Sequence, residues 1–476
     1  MSSRRIAWVA WWQEWGTLAL VAVLALPLFT PRVYASDEIK YFAGLRSAYF
    51  DHDLHYENEY AYFIGRDPVA HAGLRPFMEQ PTPTGYRLND APIGSAIMWA
   101  PAYVAADAFV VMARALGSTI PRDGYSWPYV WAVCLASLVW GTSGLFLCYR
   151  LCRSYVGRAE ATWGVLAVWF ASPVVFYLYI TPAMSHANSL FAVALFLWVW
   201  HVTRAGRTPQ GWAALGAATA LMVLVRELNW LFLLVVAVDE LSSLLRRADS
   251  EATSRAPSDT AQSGLFGELA RRSSGYLVFT LTVATLVAPQ FYVYRTLNGT
   301  LGPTPFVVEK FSVLPVYAVD VLFSGFHGLF SWHPVTLVSV VGLAVLWRRA
   351  PTIAVAFGVV FAAQVVVIGS YETWWGGASF GARRFVNCTA IFAVGVSAVL
   401  GRLRGSSSRM ANVAVVLLIL WNFGLAVQYS IGLIPRDEPV RMTRVAYNQV
   451  FEVPPRIARI AWRFAFDRSS LYRTRS

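Results

Sequence analysis

Three stretches of the chain carry the side chains that chemistry needs. The first is Asp37-Glu38, in Ser-Asp-Glu-Ile-Lys-Tyr, directly after an apolar run. A carboxylate at a membrane mouth can be half desolvated, which raises its pKa and makes it a better base. The same pair could simply open a helix, with Ser36 as N-cap and acidic side chains in the first turn. The second stretch is Phe50-Asp-His-Asp-Leu-His-Tyr-Glu-Asn-Glu-Tyr60. Asp51, His52, Asp53, His55, Glu57 and Glu59 are dense enough to hold a divalent ion, but their spacing matches no closed metal site, and a solvated acidic loop is the plainer reading. The third is Glu372-Thr-Trp-Trp-Gly-Gly-Ala-Ser-Phe-Gly-Ala-Arg-Arg-Phe-Val386. Its glycines let backbone approach a ligand. Arg383 and Arg384 then present guanidinium forks, which suit phosphate or merely anchor a helix end at an interface.

Smaller features stand beside these. Ser185-His186 precedes an apolar run, and a lone histidine there is more often structural. Arg226-Glu227 interrupts a long apolar run; ionisable residues at such depth face a cavity or pair with each other. His327 and His333 lie among glycines and aromatics in Phe323–Pro334, which reads as a packed re-entrant turn or as part of a site.

The elements that must hold these residues follow from composition. Of 476 residues, 57% are apolar and 14% charged, against about 45–50% and 25% in soluble domains. Too little polar surface remains to wrap such a core in water. A polytopic membrane protein is left, and 20 Trp with 22 Tyr suit the headgroup level. The net charge of +12 is explained by the positive-inside rule and anionic lipid rather than by nucleic acid. The four cysteines, Cys134, Cys148, Cys152 and Cys388, read as free thiols. Cys148 and Cys152 are one helical turn apart but have no third ligand nearby.

Apolar runs predict eleven membrane spans: 14–30, 128–149, 161–180, 187–204, 211–225, 229–246, 274–297, 333–347, 351–370, 384–401 and 410–428. A twelfth run, 92–116, carries Pro101, Asp107 and Arg114. Six arginine clusters, from Arg4-Arg5 to Arg402-Arg404, all fall inside only if 92–116 does not fully cross. The tail 431–476 then lies outside despite its arginines. The first outer loop is 31–127. The inner loop 247–273, rich in Ser, Ala and Thr over 249–263, reads as a disordered linker. Residues 4–35 also have the look of a signal peptide, although four early tryptophans, Pro27 and Pro31 favour an uncleaved helix. No internal repeat, Walker loop, dinucleotide fingerprint, His-Glu-x-x-His or nucleophile elbow is present.

The order of these features resembles the multi-span glycosyltransferases that use polyprenyl-phosphate sugars, the C-type superfamily. It includes protein mannosyltransferases and the aminoarabinose transferases that modify lipid A. The closer likeness is to bacterial dolichyl-phosphate-mannose-protein mannosyltransferase-like membrane proteins. The residues carrying it are Asp37-Glu38, Asp51 to Tyr60, Met184 to His186 and Ser379 to Phe385. The resemblance covers 1–430 and implies an all-α polytopic fold with interfacial helices in the first outer loop. It implies an enzyme of the plasma (inner) membrane that moves a sugar, with inversion, from a polyprenyl-phosphate donor to a saccharide, lipid or protein acceptor on the outer face. Membrane lipids are partners and nucleic acid is not.

By the same resemblance, Asp37 is the base, with Glu38 second. Substrate contacts are expected from Arg384 ahead of Arg383, and from Arg226, His186, Glu57, Glu59 and His327. Where the lipid A modifiers have Lys-Pro-Pro, this chain has Asn89-Asp90-Ala91-Pro92, so their substrate and metal are not carried over; a divalent metal at 51–59 stays open. A lipid phosphate leaves without a proton, so one base and a cation suffice, whereas a glycosidase needs a paired acid and base. A flippase for a lipid-linked saccharide, or a non-catalytic assembly subunit, is the competing reading.

Overall fold

In hydrocarbon every backbone N–H and C=O must be satisfied within its own segment, so apolar runs of this length become helices. The computed structural model describes the backbone of residues 14–253, 259–403 and 406–471, and the side chains of 14–246, 273–403 and 407–470. The described residues are mainly helical, with two isolated bridges, Pro81 with Arg87 and Phe311 with Tyr371, and no named strand.

The first apolar helix, α1, is Glu14–Leu28. After it come α2 (Ser36–Arg46), α3 (Glu57–Arg66), α4 (Gly94–Ala115), α5 (Trp127–Arg153), α6 (Arg158–Ala171), α7 (His186–Thr203), α8 (Pro209–Val225), α9 (Leu233–Thr253) and α10 (Asp259–Asn298). The second half holds α11 (Val335–Trp347), α12 (Pro351–Gly369), α13 (Thr389–Leu400), α14 (Ser406–Ser430) and α15 (Pro454–Phe466). All eleven expected spans are substantially helical. Among the described residues, eight helices are long and apolar enough to cross a membrane, and α1, α8 and α11 are shorter apolar helices.

One of the eight is Gly94–Ala115, the run expected not to cross fully. Length alone would let it span, and its register shows where it lies. The Met98 carbonyl accepts from the Trp140 indole at 3.0 Å, and the Asp107 carboxylate accepts from the Tyr129 hydroxyl at 2.7 Å. α4 therefore runs antiparallel to the first half of α5. Its first residue, Gly94, is pressed against the backbone of Leu224 and Val225 at the end of α8. About ten further residues of α5, some 15 Å of helix, continue past that level to Arg150 and Arg153.

That far end of the bundle is an arginine layer. Arg153 pairs with Glu14 at 2.9 Å, Arg204 pairs with Asp239 at 2.6 Å, and Arg246 donates to Thr352 at 3.1 Å. Arg4, Arg5 and Arg404 lie outside the described residues, as do the side chains of the arginines from 247 to 272. The tail returns to the opposite end: Arg468 donates to the carbonyls of Phe29 and Pro27 at 2.6 Å each.

The expected linker at 249–263 is corrected where it is described. Residues 249–253 extend α9 and 259–263 begin α10, while 254–258 lie outside the described residues. Once a helix is nucleated, propagation beyond the apolar segment costs little. All four cysteines are free and buried.

Small residues let the helices approach closely. A methyl built on Gly342 of α11 would run into the Gly395 carbonyl of α13. Gly342→Ala should lower stability by about 1–3 kcal/mol through overpacking. Gly358→Ala on α12, where nothing lies within 4 Å, should be neutral or slightly stabilising. Thermal unfolding midpoints of the two variants in detergent test this contrast.

Candidate active site

The start of α2 divides the acidic pair into two roles. Glu38 reaches back to cap its own helix, its Oε2 accepting from the backbone N–H groups of Tyr34 and Ala35 at 2.9 Å each. It is fully buried and its Oε1 has no partner. Asp37, about 100° further round, faces a cavity instead. Glu38 is therefore a capping residue, whereas the sequence suggested a second catalytic carboxylate.

Asp37 sits between two cations. Lys40, one turn along α2, lies 3.1 Å from its Oδ1, and Arg383 Nη1 donates to its Oδ2 at 2.8 Å. Burial alone would raise the Asp37 carboxyl, but Lys40 and Arg383 outweigh it and hold it well below the usual carboxylate range. Lys40 also bonds Asp90 at 2.5 Å. Burial favours its neutral form, and the two carboxylates more than reverse that.

The Gly-rich turn shapes the arginines. Gly376, Gly377 and Gly381 all have positive φ, at 81°, 72° and 60°, a region that side chains rarely tolerate. The resulting turn brings the Gly376 carbonyl to 2.7 Å from Arg383 Nη2. Arg384 donates to the Thr373 carbonyl at 3.1 Å and lies 4.8 Å from the Tyr371 ring centre. Its Nε is buried without a partner. At the end of α8, Arg226 donates to His186 Nδ1 at 2.6 Å, which makes that nitrogen the acceptor of a neutral ring. His186 also packs against Tyr177, centroids 4.5 Å apart.

These groups line one cavity of about 530 Å³. Asp37, His186, Arg226, Arg383 and Arg384 were legible in the sequence. Lys40, Asp90 and Lys310 were not, although Lys40 is one turn from Asp37 and Asp90 lies in the segment that departs from the family motif. Lys310 comes from an irregular loop and carried no signal; burial pushes its ammonium down. The cavity thus gathers five cations against Asp37, Asp90 and Glu227. A second cavity, about 750 Å³, opens in the arginine layer. It contains none of the expected site residues, and its Arg204–Asp239 and Arg207–Glu240 pairs are 2.6 and 3.4 Å apart.

Three expected contacts lie elsewhere. Glu57 pairs with Arg87 at 3.0 Å on the surface, and Glu59 is buried against Arg46 at 2.9 Å. Asp51 also binds Arg46, and Asp53 accepts from Ser47 at 2.7 Å. The acidic run spends its carboxylates on folding the loop, and no group of three metal-ligating residues forms among the described residues. His327 lines no part of the main cavity; its Nδ1 donates to the Trp375 carbonyl at 2.9 Å.

The architecture of the described residues is that of a mainly helical, multi-pass membrane protein. Two solved structures share it across nearly the whole chain. ArnT from Cupriavidus metallidurans bound to undecaprenyl phosphate is similar with a TM-score of 0.56 and 13% identity, over 98% of this chain and 73% of that one. The same protein in its apo state gives 0.51 and 14%, over 98% and 78%. At such identities the likeness is one of fold. No family model and no curated protein matches the sequence.

Glu59 makes the first loop pH-sensitive. Burial, only partly offset by Arg46, pushes its carboxyl up to about 7 from 4.5. The folded state then holds a proton that the unfolded chain has released, so stability falls as pH rises from 4.5 to about 7. Glu59→Gln should flatten that slope; an unchanged difference between unfolding midpoints at about pH 5 and about pH 8 would count against it.

Proposed function

We propose that the protein is a membrane glycosyltransferase that moves a sugar from a polyprenyl-phosphate carrier to an acceptor hydroxyl, with inversion, at the outer face. The observation that carries this reading is the meeting of Asp37 and Arg383, 346 residues apart, in a cavity with further arginines. ArnT, which shares the fold, has been solved bound to undecaprenyl phosphate, and that supports a lipid phosphate as the donor's leaving group here.

The roles follow from the charges. Arg384, with a buried unbonded Nε, and Arg226, turned toward a neutral histidine, hold the donor phosphate, with Lys310 beside them. Leu228, Trp230, Phe311 and Val367 form an apolar rim for the first part of the carrier chain. Asp37 keeps a free lone pair on each oxygen and remains 35% exposed. Its two cations make it a weaker base than the sequence suggested, so it accepts a hydrogen bond from the acceptor hydroxyl and takes the proton late, once that oxygen is bonding to the anomeric carbon from the face opposite the phosphate. The bond to phosphate breaks, and the lipid phosphate departs with its negative charge already matched, so no general acid is needed. Lys40 and Arg383 orient the carboxylate, and His186 positions Arg226.

Asp37→Asn should lower turnover by about 100- to 10,000-fold, the usual worth of a positioned base, while leaving binding of undecaprenyl phosphate intact. A transporter or a scaffold would keep its function in that variant. Arg384→Ala should weaken undecaprenyl phosphate binding by about ten- to a hundredfold, the worth of a charge-assisted hydrogen bond. Arg384→Lys should recover only part of it, since the fork is lost. Direct binding with wild-type affinity in both Arg384→Ala and Arg226→Ala would move the phosphate elsewhere.

A further inference from the structure

The segment after the last apolar helix ends in α15, Pro-Pro-Arg-Ile-Ala-Arg-Ile-Ala-Trp-Arg-Phe-Ala-Phe, with three arginines and no acid. At about 100° per residue, Arg456, Arg459 and Arg463 fall within one narrow sector. Arg456, Ile460, Arg463 and Phe464 are half-buried and face the rest of the protein. The outward side is Ile457, Ala458, Ala461, Trp462, Ala465 and Phe466, all exposed. Trp462 is 65% and Phe466 71% exposed. A helix lying on a water-facing surface shows the opposite pattern, polar outward.

Its place in the fold says what covers that face. Arg468, just past α15, is hydrogen-bonded to the carbonyls of Pro27 and Phe29 at the end of α1. The apolar side of α1 beside that end, Leu20, Val23, Leu24 and Leu26, is exposed too. The apolar face of α15 is thus anchored at the end of a lipid-facing helix, at the end of the bundle that holds the cavity. Arg463 is steadied by Ser470 at 2.9 Å, and Arg456 by Glu452.

We propose that α15 lies in the plane of the membrane, its apolar side in the hydrocarbon boundary and Arg459, at the exposed edge, holding an anionic phospholipid headgroup. This assigns a lipid-binding site to the chain that is separate from the cavity and independent of the activity proposed for it. It also gives a reason for an arginine in a tail that the charge rule would place on the opposite side.

The four native cysteines are buried, so Trp462→Cys can be labelled with a fluorophore in the full chain. The protein is reconstituted in nanodiscs of phosphatidylcholine and phosphatidylglycerol in equal parts, with one or the other lipid brominated in its acyl chains. Both lipids should quench the label, and phosphatidylglycerol more strongly, by up to roughly fivefold for the one engaged arginine. Arg459→Gln should abolish the preference and leave quenching by phosphatidylcholine in place. No quenching by either lipid, equal quenching in the wild type, or a label shielded by a second copy of the chain would each overturn the proposal. So would a preference unchanged in Arg459→Gln.

Discussion

The ion pair between Asp37 and Arg383 closes the molecule. One partner comes from the first turn of α2, after the first apolar helix, and the other from the Gly-rich turn before α13, 346 residues later. Charges taken out of water are costly unless each is matched and hydrogen-bonded. Once Asp37 occupies the cavity, the positions of its neighbours are tightly limited. Lys40 and Arg383 take its two oxygens, Asp90 takes the other side of Lys40, and the Gly376 carbonyl takes the second nitrogen of Arg383.

Apart from Lys310, the cavity's cations stand near the ends of helices or directly after an apolar one. Asp37 and Lys40 are on a helix that begins where α1 has stopped, His186 opens α7, Arg226 closes α8, and Arg383 and Arg384 precede α13. Helix ends leave backbone groups to satisfy and polar surroundings in which to do so, and the apolar centres of the same helices stay free of charge. A charged basin can thus sit at one end of a bundle without a charge deep within it. The arginine layer uses the same economy at the other end, where its Arg–Asp and Arg–Glu pairs bind helix to helix.

The acidic loop shows how the same residue types can serve only structure. Asp51, Asp53, Glu57 and Glu59 are each within reach of a nearby donor, chiefly Arg46, Ser47 and Arg87. They brace α2 and α3 against each other. Their density invited a metal reading, yet density reports composition and not convergence. The two arginines of the Gly-rich turn differ likewise: Arg383 is committed to Asp37, and Arg384 is held by a carbonyl and a ring face with one nitrogen left unbonded.

The sequence by itself determined the helical class, the apolar runs and five of the polar residues that line the cavity. Those properties are local, since an apolar run becomes a helix whatever lies beyond it, and an arginine beside glycines is conspicuous anywhere. Which way each side chain turned was decided only by tertiary structure. Asp37 and Glu38 are adjacent and chemically alike, and a rotation of about 100° sends one into the cavity and the other to its own helix cap. Lys310 carried no mark in its surroundings, and α4 had length enough to span; loop closure placed the first, and packing register against α5 and α8 placed the second. Those outcomes depend on contacts between segments distant in the chain, which local spacing does not encode.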